Sequence, residues 1–181
     1  WSWDRILRSC FIKQADVLQG IYFFEEDYDL ETIRRNYDFY EPRTVHESSL
    51  SPCVHAIIAA KLGDLDRAYE FYLRTSRLDL DDYNNDTEDG LHITSMAGTW
   101  LSVVEGFGGM RVKNNQLSLH PVLPKNWKSY SFKIGFRKAI VTIKFDGEKV
   151  SLTNESEHAL NLSVFGKYEH LEANATLEIN S

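Results

Sequence analysis

Residues 51–64 read SPCVHAIIAAKLGD and predict a helix, a sharp break and a second helix. The body of the first helix is almost wholly apolar, which is typical of a helix buried on most sides. Ser51 is expected to be its N-cap, and Pro52 suits the first helical position, where a missing N–H costs nothing. Gly63 suits the left-handed backbone of a helix end, and Asp64 then caps the next helix. Two helices joined by so short a break lie antiparallel.

Helical patterns also occupy the chain on both sides of this hairpin. An apolar helical run covers residues 15–24, a short helix capped by Asp29 follows it, and a last helix covers about residues 91–107. Helical hairpins build bundles, solenoids or toroidal barrels. Periodicity alone leaves these three architectures open.

From residue 111 the apolar period changes from that of a helix to that of a strand. Six segments show it: residues 116–119, 131–134, 139–145, 150–153, 160–165 and 176–179. Asp146-Gly147 is a hairpin signal between two of them. Six or seven short antiparallel strands predict a small β-sandwich that serves as a scaffold, with residues 111–115 as the link to the helices.

Charge divides the chain at the same place. Residues 1–110 carry 10 Lys/Arg against 20 Asp/Glu, whereas residues 111–181 carry 10 against 7. The asymmetry predicts two domains, 1–110 and 111–181. The acidic half lacks the basic face that a nucleic-acid partner needs, and no apolar run approaches the roughly 18 residues of a membrane span. We therefore expect neither nucleic acid nor membrane as a partner.

Cysteine usage and acidic residues give no indication of a metal. Cys10 and Cys53 lie in apolar helical contexts, and two lone cysteines make neither a disulfide framework nor a zinc site. We interpret both as buried thiols in a reducing compartment, the cytoplasm. The acidic loop 79–90 lacks the glycine of an EF-hand turn, which favours a solvated or substrate-facing loop. No metal and no cofactor are predicted.

Three segments place charged, imidazole and hydroxyl groups where an apolar helix begins. They are KQADV at residues 13–17, TVHESSLSP at residues 44–52 and DGLHITSMAGTW at residues 89–100. A helix N-terminus presents free N–H groups and the positive end of the helix dipole, which favour an anion such as phosphate. In a ring of helices such ends converge, so their repetition favours one pocket for a small hydrophilic ligand.

Each segment also has a plain structural interpretation, which the residues alone leave open. Lys13 and Gln14 suit sugar hydroxyls but equally suit a solvated helix start. The hydroxyls of the second segment, with His46 adding charge, could bind an anion or only cap the next helix, and Glu47 could instead be a general base. His92 could contact a ligand or be a buried histidine bonded to the backbone.

Together the three segments resemble those of glycoside hydrolase family 65, the inverting disaccharide phosphorylases. The stretch LHPVLPKNW at residues 119–127 is similar to the family's passage into its C-terminal β-domain, so the resemblance covers nearly the whole chain. It implies an α+β multidomain fragment, in which residues 1–110 are the last helices of an (α/α)6 barrel and residues 111–181 an antiparallel β-sandwich. The chain does not begin with Met, and the family's general acid, a Glu, is expected upstream of Trp1.

The resemblance also implies roles for individual residues. Lys13 and Gln14 would bind the donor glucosyl unit. Five residues would hold inorganic phosphate, the co-substrate: Ser48, Ser49, Gly90, His92 and Thr94. The implied reaction is phosphorolysis of an α-glucosidic disaccharide, with maltose favoured, to β-glucose 1-phosphate and a free sugar. The parent is expected to be a homodimer, and this chain alone, without the acid, is expected to be inactive.

Two other functions stay open at this point. A hydrolase of the same fold would use a carboxylate to activate water, and Glu47 is the obvious residue for that role. A non-catalytic carbohydrate-binding module would need aligned surface aromatics on the β-sandwich. Trp127, Tyr130 and Phe132 are few and are expected in its core instead.

Overall fold

The computed structural model describes residues 2–181 and, with the exception of Trp3, their side chains. The chain forms two compact units, of which the first ends at Gly106 and the second comprises Phe107–Ser181. The first unit is helical and the second consists of strands. Among the described residues, no helix is long and apolar enough to cross a membrane.

Residues 2–106 contain six α-helices. They are α1 (Trp3–Ile6), α2 (Asp16–Phe23), α3 (Leu30–Tyr40), α4 (Ser51–Lys61), α5 (Leu65–Ser76) and α6 (Ile93–Leu101). Short 3-10 turns lie at Glu25–Asp27, Glu41–Arg43 and Thr87–Asp89, and a π-helical segment, Ser102–Phe107, follows α6. The last predicted helix therefore changes its winding at Ser102, whose hydroxyl donates to the carbonyl of Gly98 (2.8 Å).

The α4–α5 hairpin has the predicted form at its turn. Gly63 has a φ of 80°, and the Asp64 carboxylate accepts a hydrogen bond from the Arg67 backbone N–H (3.2 Å). The Asp29 carboxylate caps α3 in the same way through Thr32 (2.7 Å). These local signals were sufficient because each cap depends on groups only three residues apart.

The predicted N-cap of α4 is wrong. The helix begins at Ser51, the N-cap position belongs to Leu50 in a helical conformation, and no side chain caps it. The Ser51 hydroxyl lies 2.9 Å from Nδ1 of His46 instead. A tertiary hydrogen bond to a buried ring has taken the place of the local cap.

Helix α4 is the centre of the helical unit. Its first ten residues are all buried, and it contacts α2, α5 and α6. Gly98 of α6 packs so closely on α4 that a Cβ there would lie 2.9 Å from Cβ of Cys53, nearer than atoms tolerate. Cys53 is buried as expected, whereas Cys10 is exposed, contrary to our interpretation; both are free thiols.

Residues 107–181 form eight strands. They are β1 (Arg111–Lys113), β2 (Gln116–Leu119), β3 (Tyr130–Phe136), β4 (Ala139–Phe145), β5 (Lys149–Asn154), β6 (Leu160–Val164), β7 (Lys167–Leu171) and β8 (Thr176–Asn180). They form two four-stranded sheets of order β1-β2-β6-β7 and β3-β4-β5-β8. The Asp146–Gly147 turn joins β4 to β5, with the Asp146 carboxylate accepting from the backbone N–H of Lys149 (2.8 Å).

The sheets differ from the prediction in two respects. β1 lies where a link was expected, and β7 was missed, because both are short and mostly exposed and show no clear alternation. The pairing of β2 with β6 is parallel, whereas every other strand pair is antiparallel. Sequence periodicity identifies strands but not their partners.

The core of the sandwich follows the two-residue period of its strands. In β4, residues Val141 and Ile143 are buried whereas Ile140 between two inward positions is 46% exposed. Trp127, Tyr130 and Phe132 pack against one another, at centroid distances of 5.9 and 6.2 Å. Phe132 is buried as expected, whereas Trp127 and Tyr130 are half-buried at the edge of the core.

Two isoleucines of β4 offer a matched test of this register. Ile143→Ala should lower the free energy of unfolding by about 2–5 kcal/mol, because it leaves a cavity in the sandwich core. Ile140→Ala on the outer face should cost no more than about 1 kcal/mol. Urea denaturation of both variants measures the difference, and equal losses would contradict the inward orientation of Ile143.

Candidate functional site

Backbone hydrogen bonds align the segments that precede α2 and α4. Ile12 forms a parallel bridge with Thr44, and the backbone N–H of Glu47 donates to the carbonyl of Lys13 (3.2 Å). This alignment brings Nζ of Lys13 to 3.4 Å from Oε2 of Glu47. Residues that are 34 positions apart in the sequence numbering thus form one polar cluster.

Gln14 is positioned by its own helix start. Its Nε2 donates to Oδ1 of Asp16 in the first turn of α2 (2.9 Å). The side chain of Lys13 is exposed and that of Gln14 is half-buried. Both can therefore reach a ligand in front of α2.

Ser48 and Ser49 form the turn that leads into α4. The carbonyl of Ser48 accepts from the backbone N–H of Ser51 (3.1 Å), and its hydroxyl accepts weakly from the N–H of Leu50 (3.4 Å). Both serines are half-buried. Their hydroxyls lie at the positive end of a long, buried helix.

A pair of buried histidines lies beneath this turn. His46 contacts His55 edge to face at 4.4 Å, and both rings pack on Phe71 at 5.0 Å. Ser51 connects them, with its hydroxyl near Nδ1 of His46 (2.9 Å) and its carbonyl near Nδ1 of His55 (3.0 Å). Arg74 donates to the carbonyl of His46 (3.2 Å), so the backbone of His46 is held as well as its ring.

The expectation that His46 adds positive charge to an anion site is wrong. Burial lowers the pKa of His46 to about 3 and the pKa of His55 to about 4. Both rings are therefore neutral near pH 7. His46 also has a φ of 53°, a left-handed conformation that costs energy outside glycine and is held here by the buried contacts.

The surroundings of His92, in contrast, favour its charged form. Nδ1 lies 2.6 Å from Oδ1 of Asp79, and the backbone N–H of His92 donates to the other oxygen of the same carboxylate (2.9 Å). On the opposite side of the ring, Nε2 lies 3.5 Å from Asp86. The hydrogen bond to Asp79 raises the pKa of His92 above its ordinary value, and the same bond lowers the pKa of Asp79.

The acidic loop 79–90 thus holds the ring of His92 through Asp79 and Asp86. Sequence reasoning interpreted it as solvated or substrate-facing and missed the pairing of Asp79 and Asp86 with His92. The first turn of α6 that follows carries Thr94, which is exposed. Gly90, just before it, has a φ of 137°, a conformation that favours glycine.

The N-termini of α4 and α6 lie at the same end of the helical unit. A Cβ at Gly98 would meet Cys53, near the start of α4. A Cβ at Gly106, later in the chain than Gly98, would meet Ile57, which is also later in α4 than Cys53. The two helices therefore advance in the same direction. Ser48 and Ser49 before α4 and His92 before α6 consequently belong to one end of the unit.

Among the described residues, no group of three or more His, Cys, Asp or Glu side chains is arranged to hold a metal ion. At this end four carboxylates, those of Asp16, Glu47, Asp79 and Asp86, pair with some of the other candidate groups, which are a lysine, an amide, hydroxyls and an imidazole. Such groups bind hydroxylated and anionic ligands through hydrogen bonds and charge.

Comparison with known proteins identifies the family. Residues 1–101 match the glycosyl hydrolase family 65 central catalytic domain, and residues 110–171 match the C-terminal domain of that family. The chain belongs to glycosyl hydrolase family 65. The predicted family and fold class, helices of an (α/α)6 barrel followed by a β-sandwich, are confirmed.

Several curated family 65 proteins are close in sequence. A maltose phosphorylase of Bacillus subtilis (strain 168) is 56% identical over 165 residues, which cover 91% of this chain and 22% of that protein. An alpha,alpha-trehalose phosphorylase of Geobacillus stearothermophilus is 46% identical, over 92% of this chain and 22% of that protein. The chain therefore spans between a fifth and a quarter of the length of these relatives.

A solved family 65 structure, from the human microbiome and assigned as a kojibiose phosphorylase, has the same architecture. It superposes with a TM-score of 0.93 at 45% identity, over 100% of this chain and 25% of that chain. The fold described above is thus that of the matching part of a larger family 65 protein. The roles of Lys13, Gln14, Ser48, Ser49, Gly90, His92 and Thr94 stay predictions.

The buried histidine pair should make the helical unit sensitive to acid. His55 has a lower pKa folded than unfolded, so its contribution to stability is fully present above about pH 6.5 and is lost as the pH falls towards 4. Between pH 7.5 and 5.0 this one group should lower the free energy of unfolding by about 2 kcal/mol. Urea unfolding of the native chain and of His55→Gln at both pH values measures this, since the variant should lose that part of the dependence.

His170→Gln is the matched control, because His170 is exposed on β7. It should lower the free energy of unfolding much less than His55→Gln does, because its ring is exposed. An identical pH dependence in the native chain and in His55→Gln would contradict the buried neutral state of His55.

The charge of His92 should depend on Asp79. In Asp79→Asn the pKa of His92 should fall towards its ordinary value of about 6.5, because the stabilising carboxylate is removed. Asp86→Asn should produce a smaller fall, since Asp86 contributes less to the raised pKa. NMR titration of the His92 ring protons measures both changes, and an unshifted pKa in Asp79→Asn would refute the pairing.

Proposed function

We propose that this chain is part of a phosphorylase that cleaves an α-glucosidic disaccharide with inorganic phosphate. The products would be β-glucose 1-phosphate and a free sugar. The observation that carries the proposal is the hydrogen bond between His92 and Asp79, which raises the pKa of the ring, at the end of the helical unit to which Ser48 and Ser49 also belong. The relatives named as phosphorylases support it.

A charged imidazole, two hydroxyls and two helix N-termini suit the binding of a phosphate dianion. The imidazolium supplies charge, and the hydroxyl and N–H groups supply directed donors. Asp79 and Asp86 would also repel a bare anion, so the site binds phosphate through His92 only while the imidazolium stays protonated. Gly90 and Thr94 at the start of α6 would complete the phosphate contacts.

The proposed mechanism depends on phosphate binding as an anion. A phosphate oxygen is already nucleophilic and needs no base, so it would attack the anomeric carbon from the face opposite the leaving sugar. A carboxylic acid from elsewhere in the whole protein would give its proton to the glycosidic oxygen as the bond to the anomeric carbon breaks. Inversion at that carbon yields the β-phosphate ester.

In the proposed reaction Glu47 would position Lys13 and would not act as a general base. Its carboxylate is close to Lys13, so it would fix the ammonium group beside the glucosyl unit rather than activate water. Lys13 and Gln14 would then hold the hydroxyls of that unit. A hydrolase would need Glu47 free to accept a proton.

Maltose is the proposed disaccharide, because the maltose phosphorylase relative is 56% identical whereas a trehalose phosphorylase is 46% and a kojibiose phosphorylase of Halothermothrix orenii is 39% identical. We further propose that the protein needs no cofactor besides phosphate, acts in the cytoplasm and works as a homodimer. Two free thiols, one of them exposed, support a reducing compartment.

The test uses the whole protein that contains this chain. Incubation with maltose, trehalose or kojibiose, with and without phosphate, is followed by assays of β-glucose 1-phosphate and glucose. Phosphate-dependent β-glucose 1-phosphate from maltose is the expected result. Equal release of glucose without phosphate would contradict phosphorolysis and favour a hydrolase, and the 181-residue chain alone should give no turnover.

Variants separate the roles of the polar groups. Ser48→Ala and His92→Asn should each raise KM for phosphate about tenfold or more, because the first removes a hydrogen-bond donor and the second removes a positive charge near the anion. Glu47→Gln retains size and should leave some phosphorolysis, since no proton transfer depends on it. A phosphorolysis rate abolished by Glu47→Gln with an unchanged KM for phosphate would refute the assigned role of Glu47.

A further inference from the structure

A second concave site lies wholly within the β-sandwich unit. It is a cavity of about 740 Å³ lined by residues 114–116, 136–139 and 158–161. These stretches are the β1–β2 turn, the β3–β4 turn and the start of β6, so they come from both sheets. We refer to it as the sandwich-end cavity.

The polar side chains that line the sandwich-end cavity are cations, amides and an imidazole, and the remaining lining residues are apolar: Phe136, Ala139, Ala159 and Leu160. Arg137 and Lys138 carry permanent positive charges, His158 adds an imidazole, and the amides come from three asparagines and a glutamine. None of the eleven lining residues is Asp or Glu, although the chain holds 27 acidic residues and a net charge of −7. A carboxylate-free cavity with two cations favours an anionic ligand.

Arg137 is fixed at the centre of this arrangement. Its Nη2 donates to the carbonyl of Asn115 in the opposite turn (2.7 Å), and its guanidinium lies over the ring of Phe136 at 5.5 Å. A guanidinium has five N–H groups, so donors remain for a ligand. The ring of Phe136 is covered by Arg137, which disfavours stacking of a neutral sugar.

The backbone at Arg137 is strained. Its φ is 55°, and those of Asn114 and Asn115 are 47° and 61°. Asparagine adopts this left-handed region readily in tight turns. Arginine adopts it only at a cost in conformational energy, which a glycine at the same position would not incur. A two-residue hairpin loop such as the one between Phe136 and Ala139 requires a left-handed residue, so the turn accounts for the positive φ of Arg137 and fixes where its side chain begins.

The amide groups add a second kind of recognition. Oδ1 of Asn161 accepts from Nδ1 of His170 (2.6 Å), which leaves the NH₂ group of Asn161 to donate. Asn114 and Gln116 are exposed at the opposite side of the cavity. Amides of this kind bind hydroxyl groups, and the volume far exceeds that of inorganic phosphate alone.

We propose that the sandwich-end cavity binds a phosphorylated monosaccharide. The phosphate contacts Arg137 and Lys138, and the sugar hydroxyls contact the amides of Asn114, Gln116 and Asn161. The site is argued from the sandwich alone and stands whether or not the protein is a phosphorylase. Glucose 1-phosphate is one member of the class and serves as the probe.

Calorimetric titration of the 181-residue chain with glucose 1-phosphate tests the proposal, with glucose and inorganic phosphate as comparison ligands. Glucose 1-phosphate should bind at least about tenfold more tightly than either, since each lacks half of the contacts. In two-dimensional NMR the shifted amides should be those of residues 114–116, 137–138 and 158–161. Raising the salt concentration should weaken the binding, because the cations are exposed.

Arg137→Gly separates binding from folding. It removes the guanidinium but suits the left-handed backbone, so the affinity should fall about tenfold or more without a lower thermal unfolding midpoint. Lys138→Ala should also weaken binding, and it provides the test if Arg137→Gly folds poorly. Lys144→Ala is the charge-matched control, exposed on β4 away from the cavity, and should bind normally.

Three results with the ligands and the cavity variants would overturn the proposal. They are the absence of saturable binding, an affinity for glucose 1-phosphate that Arg137→Gly and Lys138→Ala leave unchanged, and inorganic phosphate binding as tightly as the sugar phosphate. A double variant Ser48→Ala, Ser49→Ala distinguishes the two sites. If it alone abolishes binding, the sandwich-end cavity is refuted while the proposed phosphate site gains support.

Discussion

The burial of α4 is the constraint on which the helical unit depends. Ten consecutive buried residues mean that this helix has no face to offer to water, so neighbours must cover it on every side. α2, α5 and α6 do so within the described residues, and their positions follow from that demand. The ends of α4 and α6 then share one side of the unit, which is why polar groups far apart in sequence belong to a common region.

Much of this organisation could be predicted from local patterns. The caps at Asp29 and Asp64, the turn at Gly63 and the full extent of β4 depend on residues within a few positions of one another. The family resemblance depended on short motifs that lie in the turns before helices. Both kinds of signal depend on contiguous residues, which explains why they could be recognised from the sequence.

The parts that escaped prediction depend on distant partners. Ser51 bonds to His46 rather than capping its helix, and His92 bonds to Asp79 across a loop without periodicity. No local pattern in the sequence indicates that these side chains pair. The opposite pKa shifts of two histidines also follow only from burial in one case and from a carboxylate in the other.

The two histidines illustrate how one residue type can supply either rigidity or charge. His46 is enclosed by rings and neutral, so it packs as an aromatic residue beneath the Ser48–Ser49 turn. His92 is partly open to solvent and paired with Asp79, which raises its pKa and so favours the protonated form. The environment, rather than the residue, determines which of the two can meet an anion.

The parallel pairing of β2 with β6 has a consequence for how the sandwich is made. β3, β4 and β5 are joined by short turns, and their contacts are local in sequence, so they can associate early. Pairing β2 with β6 closes a loop over residues 120–159, which costs more chain entropy than closing the hairpins β1–β2 and β6–β7. We expect this pair to form after those hairpins, and until it forms β2 and β6 are unpaired strand edges that a neighbouring chain could join.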